Sequence, residues 1–239
     1  MKAMILAAGL GTRLKPFTDH HPKALAIVNN KTLLQRNIEY LVQYGVTEII
    51  INVHHFAEQI IDFVNTLQLP GIQLHISDER DEVLETGGGL KKAAWFFEDG
   101  QAFILMNADI LTTMPLDQML AQHQQQKSLA TLAVSQRESS RCFLFNDKGI
   151  LCGWRNRQSG DEKISRNETP LHEFSFSGIH IIEPSLVKAI PQEGKFSMVD
   201  AYLDLAKQYD ICAFDHTGYI LLDVGKPESL AKAETLFRD

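Results

Sequence analysis

The sequence predicts an α/β fold in which a mixed, mainly parallel sheet is covered by helices on both faces. Strand-like apolar runs alternate with helical patterns through the first half of the chain. A glycine-rich turn directly follows the first strand-like run, and Asp109 follows a later one. Because ligands bind at the carboxyl ends of the strands in such sheets, the turn and Asp109 are expected to share one site.

The first half supplies the regular part of this pattern. Residues 32–44 carry apolar side chains at helical spacing, with Thr32 as a cap at the start and Gly45 at the end. Further helices are expected at 57–67 and 87–97. Strands are expected at 3–8, 48–53, 72–77 and 102–106.

The second half is less regular. Strands are expected at 128–135, 142–145, 174–182 and 219–224, and helices at 116–125, 199–209 and 228–237. Residues 149–167 are polar and are expected to form a loop around Trp154. No linker-like segment divides the chain, so one domain is predicted over residues 1–239.

Composition excludes several classes of protein. The net charge of −7 disfavours nucleic acid as a partner. The three scattered cysteines suit neither a disulfide scaffold nor a zinc site and are interpreted as reduced thiols. No apolar run approaches a membrane span, and the short run at the start lacks the context of a signal peptide. A cytoplasmic protein without a membrane partner is expected.

The turn after the first strand is expected to bind an anion, although a Gly-x-Gly after a strand can also mark only a tight turn. Gly9 and Gly11 allow close approach to backbone N–H groups, and Arg13 and Lys23 supply positive charge nearby. The turn lacks the Gly-Lys-Ser/Thr of a P-loop. Leu14 stands where a dinucleotide-binding turn carries its third glycine, which disfavours that fold.

Residues 6–23 follow the pattern LAAGxGTRLxPxTxxxPK, which resembles the signature of the sugar-1-phosphate nucleotidyltransferases. The resemblance implies a Rossmann-like fold of the nucleotide-diphospho-sugar transferase type, with a nucleotide-binding half over about 1–110 and a sugar-binding half over about 111–239. It implies transfer of a nucleotidyl group from an NTP to a sugar 1-phosphate, with release of pyrophosphate. Arg13 and Lys23 are implied to be catalytic. The implied nucleotide-binding residues in this segment are Ala7, Ala8, Gly9, Gly11, Thr12, Arg13 and Lys23.

Two aspartates end apolar strands, Asp109 after Asn107 and Ala108, and Asp223 before Val224. A strand-end aspartate more often caps a turn or helix. Two such carboxylates together suit Mg²⁺, which prefers carboxylate oxygens plus substrate phosphates. The resemblance implies that both aspartates bind Mg²⁺ and that Asp109 is also catalytic.

Residues 84–89 read Leu-Glu-Thr-Gly-Gly-Gly and are expected to open a helix with room for a flat base, or else to form a flexible loop. The family's base-recognition loop falls here, which implies nucleotide contacts from Glu85, Thr86 and Gly87. Arg80 is also implied to bind the nucleotide, although it stands where thymidylyltransferases carry a glutamine. The Leu-Glu-Thr-Gly-Gly form resembles short N-acetylmuramate-1-phosphate uridylyltransferases of cell wall recycling and some mannose-1-phosphate guanylyltransferases.

The sugar-binding residues are inferred from the second half. Gly178, within Phe176-Ser177-Gly178-Ile179, marks either close approach by a ligand or a tolerated bulge. By resemblance, Ser177, Gly178 and Asn107 contact the sugar phosphate. Glu162 resembles a sugar-contacting glutamate of longer relatives, although Glu162-Lys163 also reads as solvated loop charge.

The favoured substrates are UTP and N-acetylmuramate 1-phosphate. GTP with mannose or heptose 1-phosphate, UTP or TTP with glucose 1-phosphate, and CTP with choline phosphate stay open, as does an inactive sensor that binds a nucleotide-sugar. A monomer or a homodimer is expected.

Overall fold

Strands from both halves of the chain join in one mixed sheet. The structure is a computed structural model that describes residues 1–238, so the last residue of the predicted domain, Asp239, lies outside the described residues. The strands are β1 Lys2–Leu6, β2 Ile27–Val28, β3 Lys31–Thr32, β4 Glu48–Val53, β5 Gln73–Asp78, β6 Phe103–Asn107, β7 Ile110–Thr112, β8 Ala130–Ser135, β9 Arg141–Phe145, β10 Leu151–Asn156, β11 Glu162–Ile164, β12 His172–Ile182, β13 Ile211–Asp215 and β14 Leu221–Asp223.

The helices lie mostly between these strands in the chain. They are α1 Leu33–Gln43, α2 Ala57–Thr66, α3 Glu85–Lys92, α4 Leu116–Gln126, α5 Pro184–Ala189, α6 Met198–Leu205 and α7 Pro227–Leu236. Short 3-10 turns follow β1, including Thr12–Leu14 and Lys23–Leu25. None of the helices in residues 1–238 is both long and apolar enough to cross a membrane.

The sheet changes character between the two halves of the chain. Its order is β11-β10-β9-β12-β6-β1-β4-β5, with β8 and β13 attached through β12. Strands β6, β1, β4 and β5 are parallel, whereas β12 runs antiparallel to β6, β8 and β9. In register, Leu6 lies between Asn52 of β4 and Asn107 of β6. The carboxyl ends of these three strands therefore meet at one edge.

Alternation of side chains along the parallel strands builds two cores. Ile5 and Ile51 belong to one apolar cluster, and their neighbours Met4 and Ile50 belong to another. Such alternation of two buried faces is typical of a sheet covered on both sides. The predicted fold class is confirmed, with the regular parallel part in the first half.

Two predictions of local structure need correction. Residues 149–167 are not one loop, because they contain the antiparallel strands β10 and β11. Charged side chains on β11, Glu162 and Lys163, hide this edge strand from a sequence pattern, since exposed edge strands commonly carry charge. The helix expected at 87–97 is α3, which begins at Glu85 and ends at Lys92. A separate 3-10 turn follows it at Ala94–Phe97. The cap at Thr32 is confirmed, because its side chain accepts the N–H of Gln35 at 3.0 Å.

Candidate functional site

A cavity of about 410 Å³ lies at the edge where β1, β4 and β6 end. It contains many of the predicted residues, together with three residues that the sequence did not single out, Asn52, Val83 and Ser197. The lining residues are Leu6, Ala7, Ala8, Gly9, Lys23, Ala24, Asn52, Val83, Glu85, Thr86, Asn107, Ala108, Asp109 and Ser197.

The loop of residues 7–13, which the sequence predicts to bind a nucleotide and which we call the nucleotide loop, starts where β1 leaves the sheet. The side-chain Oδ1 of Asn52 accepts the N–H of Ala7 at 2.7 Å and that of Ala8 at 3.3 Å. A side chain thus replaces the next rung of the β1–β4 ladder, and the backbone is released into the loop. Further on, Gly11 has a φ of +64°, and a Cβ there would lie 3.0 Å from the Cβ of Lys23. Glycine is needed at this position because the loop packs closely on the segment that carries Lys23.

Four charged side chains meet at the mouth of the cavity, and we call Arg13, Lys23, Asp109 and Asp223 the charge cluster. Lys23 Nζ donates to Asp109 Oδ2 and lies 3.9 Å from Asp223 Oδ1. The guanidinium of Arg13 lies 3.8 Å from Asp223 Oδ2. Lys23 is only 13% exposed, whereas Arg13 is 60% exposed. The cluster therefore combines a sheltered ammonium with a guanidinium open to solvent.

Pairing between distant strands brings the two aspartates together. Strand β14 pairs antiparallel with β7, and Asp223 lies opposite Ile110. The N–H of Val224 donates to the carbonyl of Asp109 at 2.8 Å. Each aspartate is thus fixed by the backbone of the other's segment, which places one carboxylate from each half of the chain at the same point.

The donor set fits a divalent metal ion such as Mg²⁺. Asp223 Oδ1 is buried and has no hydrogen-bond partner, so this carboxylate keeps one oxygen for another ligand. Mg²⁺ is typically held by one or two carboxylates, with substrate phosphates and water completing its shell. Within residues 1–238, no group of three or more His, Cys, Asp or Glu side chains is arranged to hold a metal. Asp109 and Asp223, which lie beside two cations, meet this requirement of one or two carboxylates.

The glycines at the start of α3 serve a different purpose from the one expected. A Cβ at Gly87 would lie 2.3 Å from the ring of Phe196, and a Cβ at Gly88 would lie 2.1 Å from the carbonyl oxygen of Gly194. A Cβ at Gly89 would lie 2.8 Å from Glu79 Oε1. The expectation that these glycines leave room for a base is wrong, because the protein's own groups fill the space.

The start of α3 is also closed by hydrogen bonds from the second half of the chain. The N–H groups of Gly87 and Gly88 donate to the carbonyl of Phe196, at 2.9 and 3.3 Å. Thr86 Oγ1 accepts the N–H of Met198 at 2.9 Å. The segment 193–198 thereby becomes a wall of the cavity through Ser197. Sequence reasoning missed Ser197. The only signal that it offered was a serine just before a helix, and in the structure its Oγ caps α6 by accepting the N–H of Val199 at 3.1 Å.

Glu85 combines an unusual backbone conformation with a position on the cavity wall. Its φ is +59°, in the left-handed region that non-glycine residues seldom adopt. Its carboxylate lies 3.8 Å from Lys195 Nζ. Strained backbone is concentrated at functional sites, which is consistent with the predicted role of Glu85 in nucleotide binding.

Arg80 does not reach the cavity lining. Its guanidinium donates to Asp78 and pairs with Glu58 of α2, on the exposed surface. These carboxylates raise the pKa of Arg80, and the guanidinium in turn lowers the pKa of Asp78. The predicted contact of Arg80 with the nucleotide would need this side chain to leave both carboxylates.

The predicted sugar-binding residues are only partly brought together. Asn107 lines the cavity, and Gly178 has a φ of +72° with its missing Cβ 2.7 Å from Asn107 Nδ2. Ser177, by contrast, is fully buried, and its Oγ is 2.7 Å from Nε2 of His216. Glu162 pairs with Arg155 on the exposed hairpin of β10 and β11. The prediction that Ser177 and Glu162 contact the sugar directly is wrong in this structure. The Ser177 hydroxyl is enclosed, and the Glu162 carboxylate is already paired.

A buried polar pair lies behind the nucleotide loop and was also missed. Asn52 Nδ2 donates to Glu79 Oε1 at 2.9 Å, and both residues are almost fully buried. Burial raises the pKa of Glu79, against the opposing effect of the Asn52 hydrogen bond. The signal in the sequence was a single amide in the apolar run of β4, since a buried amide needs partners.

Comparison with known proteins finds relatives that match most of this chain. The model of the family described as nucleotidyl transferase matches residues 2–150. The chain is 30% identical to the N-acetylmuramate alpha-1-phosphate uridylyltransferase of Caulobacter vibrioides, over 97% of this chain and 95% of the relative. It is 28% identical to a mannose-1-phosphate guanyltransferase of Yarrowia lipolytica, over 99% of this chain and 64% of that longer relative. The crystal structure of HddC from Yersinia pseudotuberculosis complexed with GMP-PN superposes with a TM-score of 0.78 at 25% identity, over 99% of both chains.

Proposed function

Since the chain belongs to the nucleotidyl transferase family and is a sugar-1-phosphate nucleotidyltransferase, we propose that it transfers the uridylyl group of UTP to N-acetylmuramate 1-phosphate with Mg²⁺ as cofactor. Two facts support this choice of substrates. The Caulobacter relative that carries this activity in its name matches nearly the whole of both chains. Residues 84–88 also have the Leu-Glu-Thr-Gly-Gly form of the short uridylyltransferases, which some mannose-1-phosphate guanylyltransferases share.

The observation that carries the proposed chemistry is the charge cluster. It places two cations and two carboxylates from both halves of the chain beside one cavity. Joining two phosphorylated substrates requires neutralisation of their mutual repulsion and alignment of their reacting atoms. The cluster supplies charges of both signs for this purpose, one set for the phosphates and the other for a metal ion.

In the proposed reaction, an oxygen of the sugar phosphate attacks the α-phosphorus of UTP. A new P–O bond forms as the bond to the β-phosphate oxygen breaks, and pyrophosphate leaves with that electron pair. The attacking oxygen is already anionic, so no side chain has to remove a proton. We assign Lys23 to the charge that develops at the α-phosphate, and Arg13 to the β- and γ-phosphates and the departing pyrophosphate.

Asp109 and Asp223 are assigned to hold Mg²⁺, which when bound supplies neutralisation and orientation of the phosphates. In the structure, Asp109 is paired with Lys23. A phosphate that binds Lys23 and a cation that binds Asp109 would replace this one ion pair by two. The pair therefore keeps both groups in position without leaving either charge unbalanced in a partly buried site.

The remaining contacts divide along the cavity. We assign Ala7, Ala8, Gly9, Gly11 and Thr12 to the phosphates and ribose, since this loop adjoins Lys23. Glu85 and Thr86 are assigned to the base, with Arg80 as a further contact only if its surface ion pairs open. Gly87 is not assigned to the base, because its N–H and its Cβ position face Phe196.

Asn107 and the backbone at Gly178 are assigned to the sugar phosphate. The site lies where the two predicted halves, about 1–110 and 111–239, meet. This location supports one domain with a shared active site.

The test is pyrophosphate release with Mg²⁺ from UTP, TTP, GTP, CTP and ATP, each combined with N-acetylmuramate, glucose, mannose or heptose 1-phosphate, and with choline phosphate as a non-sugar acceptor. Highest kcat/KM for UTP with N-acetylmuramate 1-phosphate is expected. Higher kcat/KM for another pair would overturn the proposed substrates and keep the chemistry. Protein that binds a nucleotide without turnover of any pair would favour the inactive sensor. Removal of Mg²⁺ with EDTA should abolish turnover and allow recovery on readdition.

A guanylyltransferase acting on mannose or heptose 1-phosphate is the second candidate. Mannose-1-phosphate guanyltransferases match almost all of this chain, and the structural relative HddC was solved with GMP-PN. Competition between UTP and GTP at equal concentration decides between the candidates directly. Light scattering on the same protein distinguishes a monomer from the homodimer, both of which remain open.

A further inference from the structure

Glu79 is a buried carboxylate that the proposed chemistry does not use. It directly follows β5 and is 1% exposed. Its Oε1 accepts a hydrogen bond from Asn52, whereas its Oε2 is buried without a partner. A buried carboxylate oxygen without a hydrogen-bond partner destabilises a fold. The presence of Glu79 here therefore calls for a role beyond packing.

The backbone of Glu79 is held on both sides. Its N–H donates to the carbonyl of Val53 at 2.8 Å, and its own carbonyl is 2.7 Å from Nδ1 of His54. Gly89 of α3 approaches so closely that a Cβ would lie 2.8 Å from Glu79 Oε1 and 2.9 Å from Asn52 Nδ2. The carboxylate therefore has little freedom to move away from Asn52.

The position of Asn52 is what gives this pair its importance. Its Oδ1 accepts the N–H groups of Ala7 and Ala8, the first two residues of the nucleotide loop. Both partners are donors, so the carbonyl end of the amide has to face the loop. The NH₂ end then has to face Glu79, where only an acceptor satisfies it.

We propose that Glu79 is a positioning residue that sets the orientation of the Asn52 amide and, through it, the start of the nucleotide loop. An amide turned by 180° would direct its NH₂ group at the N–H groups of Ala7 and Ala8, and the loop would lose the contacts that hold it beside Lys23. The carboxylate prevents that rotation because it accepts only from the NH₂ end. This inference rests on the proposed function, since it concerns the nucleotide side of the same site.

An exchange of the two side chains tests the proposal. Asn52→Asp keeps the acceptor for Ala7 and Ala8 but sets two carboxylates against each other. Adding Glu79→Gln restores a donor and an acceptor with the polarity reversed, because the introduced amide can donate to the introduced carboxylate. We expect Asn52→Asp to lower kcat/KM for the nucleotide about 100-fold, the size of effect that a small misplacement of reacting groups produces, and the double variant to return to within about tenfold of wild type.

The single variants separate the hydrogen bond from the charge. Glu79→Met, which fills the space without an acceptor, is expected to raise KM for UTP about tenfold and to lower kcat, with KM for the sugar phosphate unchanged within about twofold. Glu79→Gln retains an acceptor but also offers a donor to the turned amide, so its activity is expected to lie between those of Glu79→Met and wild type. Glu183→Met is the control for the loss of a glutamate acceptor, because Glu183 also accepts from a buried side chain, Nε2 of His123 at 3.2 Å. Its own side chain is 40% exposed, and it follows Ile182, which pairs with Phe103 at the start of β6, away from the cavity.

The outcomes are read on folded protein, with the folded fraction measured by near-ultraviolet circular dichroism and UTP affinity by calorimetry. A double variant no better than Asn52→Asp overturns the proposal. A Glu79→Met enzyme with the wild-type KM for UTP also overturns it. So does a Glu79→Met enzyme whose loss of activity equals its unfolded fraction. Wild-type protein that binds UTP but turns over no substrate pair overturns the proposed function instead, and the calorimetric affinities of the variants still test Glu79.

Discussion

Two glycine-rich segments, 9–11 and 87–89, look alike in the sequence and differ in the structure. A Cβ at Gly9 would meet nothing within 4 Å, so this glycine borders open space in the cavity wall. Cβ atoms at Gly87 and Gly88 would strike Phe196 and Gly194. Gly9 of the first segment is open to a ligand, whereas the space at Gly87 and Gly88 of the second is filled by the protein itself.

The difference shows that glycine content alone does not identify a ligand site. What distinguishes the segments is the partner that approaches the backbone, and that partner comes from more than a hundred residues away for the second segment. Groups that face the cavity should affect turnover when they are changed, and groups that face the protein should affect stability. The following predictions test that division.

The largest effect is expected at Lys23, which faces the cavity. Lys23→Ala should reduce kcat about 10²–10³-fold, because one preorganised charge at a reacting phosphate contributes that much. The urea midpoint of unfolding should stay close to that of wild type. Steady-state pyrophosphate release measures kcat, and urea denaturation measures the midpoint. Lys207→Ala, at an exposed pair with Asp204, is the control and should leave turnover unchanged. Full turnover by Lys23→Ala would remove Lys23 from the catalytic assignment.

The next effect is expected at Gly88, which faces the protein. Gly88→Ala puts a Cβ 2.1 Å from a backbone oxygen, and overpacking of this kind commonly destabilises by about 1–3 kcal/mol. A urea titration with an unchanged m-value measures the loss of unfolding free energy. Stability equal to that of wild type would show that the segment 193–198 yields easily, and the contrast between the two segments would fail.

A smaller effect is expected at His180, a buried polar group that faces the protein, and it appears in the pH dependence of stability. Burial lowers the pKa of His180 to about 3, and His180 is hydrogen-bonded to the hydroxyl of Tyr202. Because the unfolded chain binds this proton at higher pH than the folded chain does, stability falls as the pH drops from about 6.5 towards 3.

Between pH 6 and pH 5, this one histidine should reduce the free energy of unfolding by about 1 kcal/mol. Urea titrations of wild type and His180→Gln at both pH values measure it, and the variant should lack this part of the decrease. Equal pH dependence in the two proteins would show that His180 is not held neutral by the fold.

The smallest change in stability is expected at Gly9. Gly9→Ala should alter the free energy of unfolding by less than about 0.5 kcal/mol, as is usual where no packed group is disturbed. KM for the nucleotide should nevertheless rise severalfold, because the added methyl group enters space that the ligand needs. A normal KM would show that the nucleotide does not approach Gly9.

The sequence predicts the part of the site that is local in the chain. Lys23 follows the nucleotide loop within one motif, and Asp109 follows an apolar strand, so both could be recognised from neighbours in sequence. The parallel strands of the first half were predicted for a similar reason, since their apolar runs are buried on both faces.

The residues that were missed are positioned by contacts between distant segments. Asn52 reaches the nucleotide loop because β4 lies beside β1, and Ser197 reaches the cavity because its segment packs on α3. Glu79 lies among the charged residues 78–82 in the sequence, and only the structure shows that it is buried. Strands β10 and β11 were missed because edge strands with exposed charge lack an apolar pattern.

The closure of α3 by the segment 193–198 also has a consequence for synthesis of the protein. Thr86 and its partner Met198 are 112 residues apart. When the strands β1, β4 and β6 have left the ribosome, the N–H groups of Gly87 and Gly88 still lack the carbonyl of Phe196. The three strands are therefore synthesised well before the wall of the cavity can be completed, because that wall has to wait for residues 193–198.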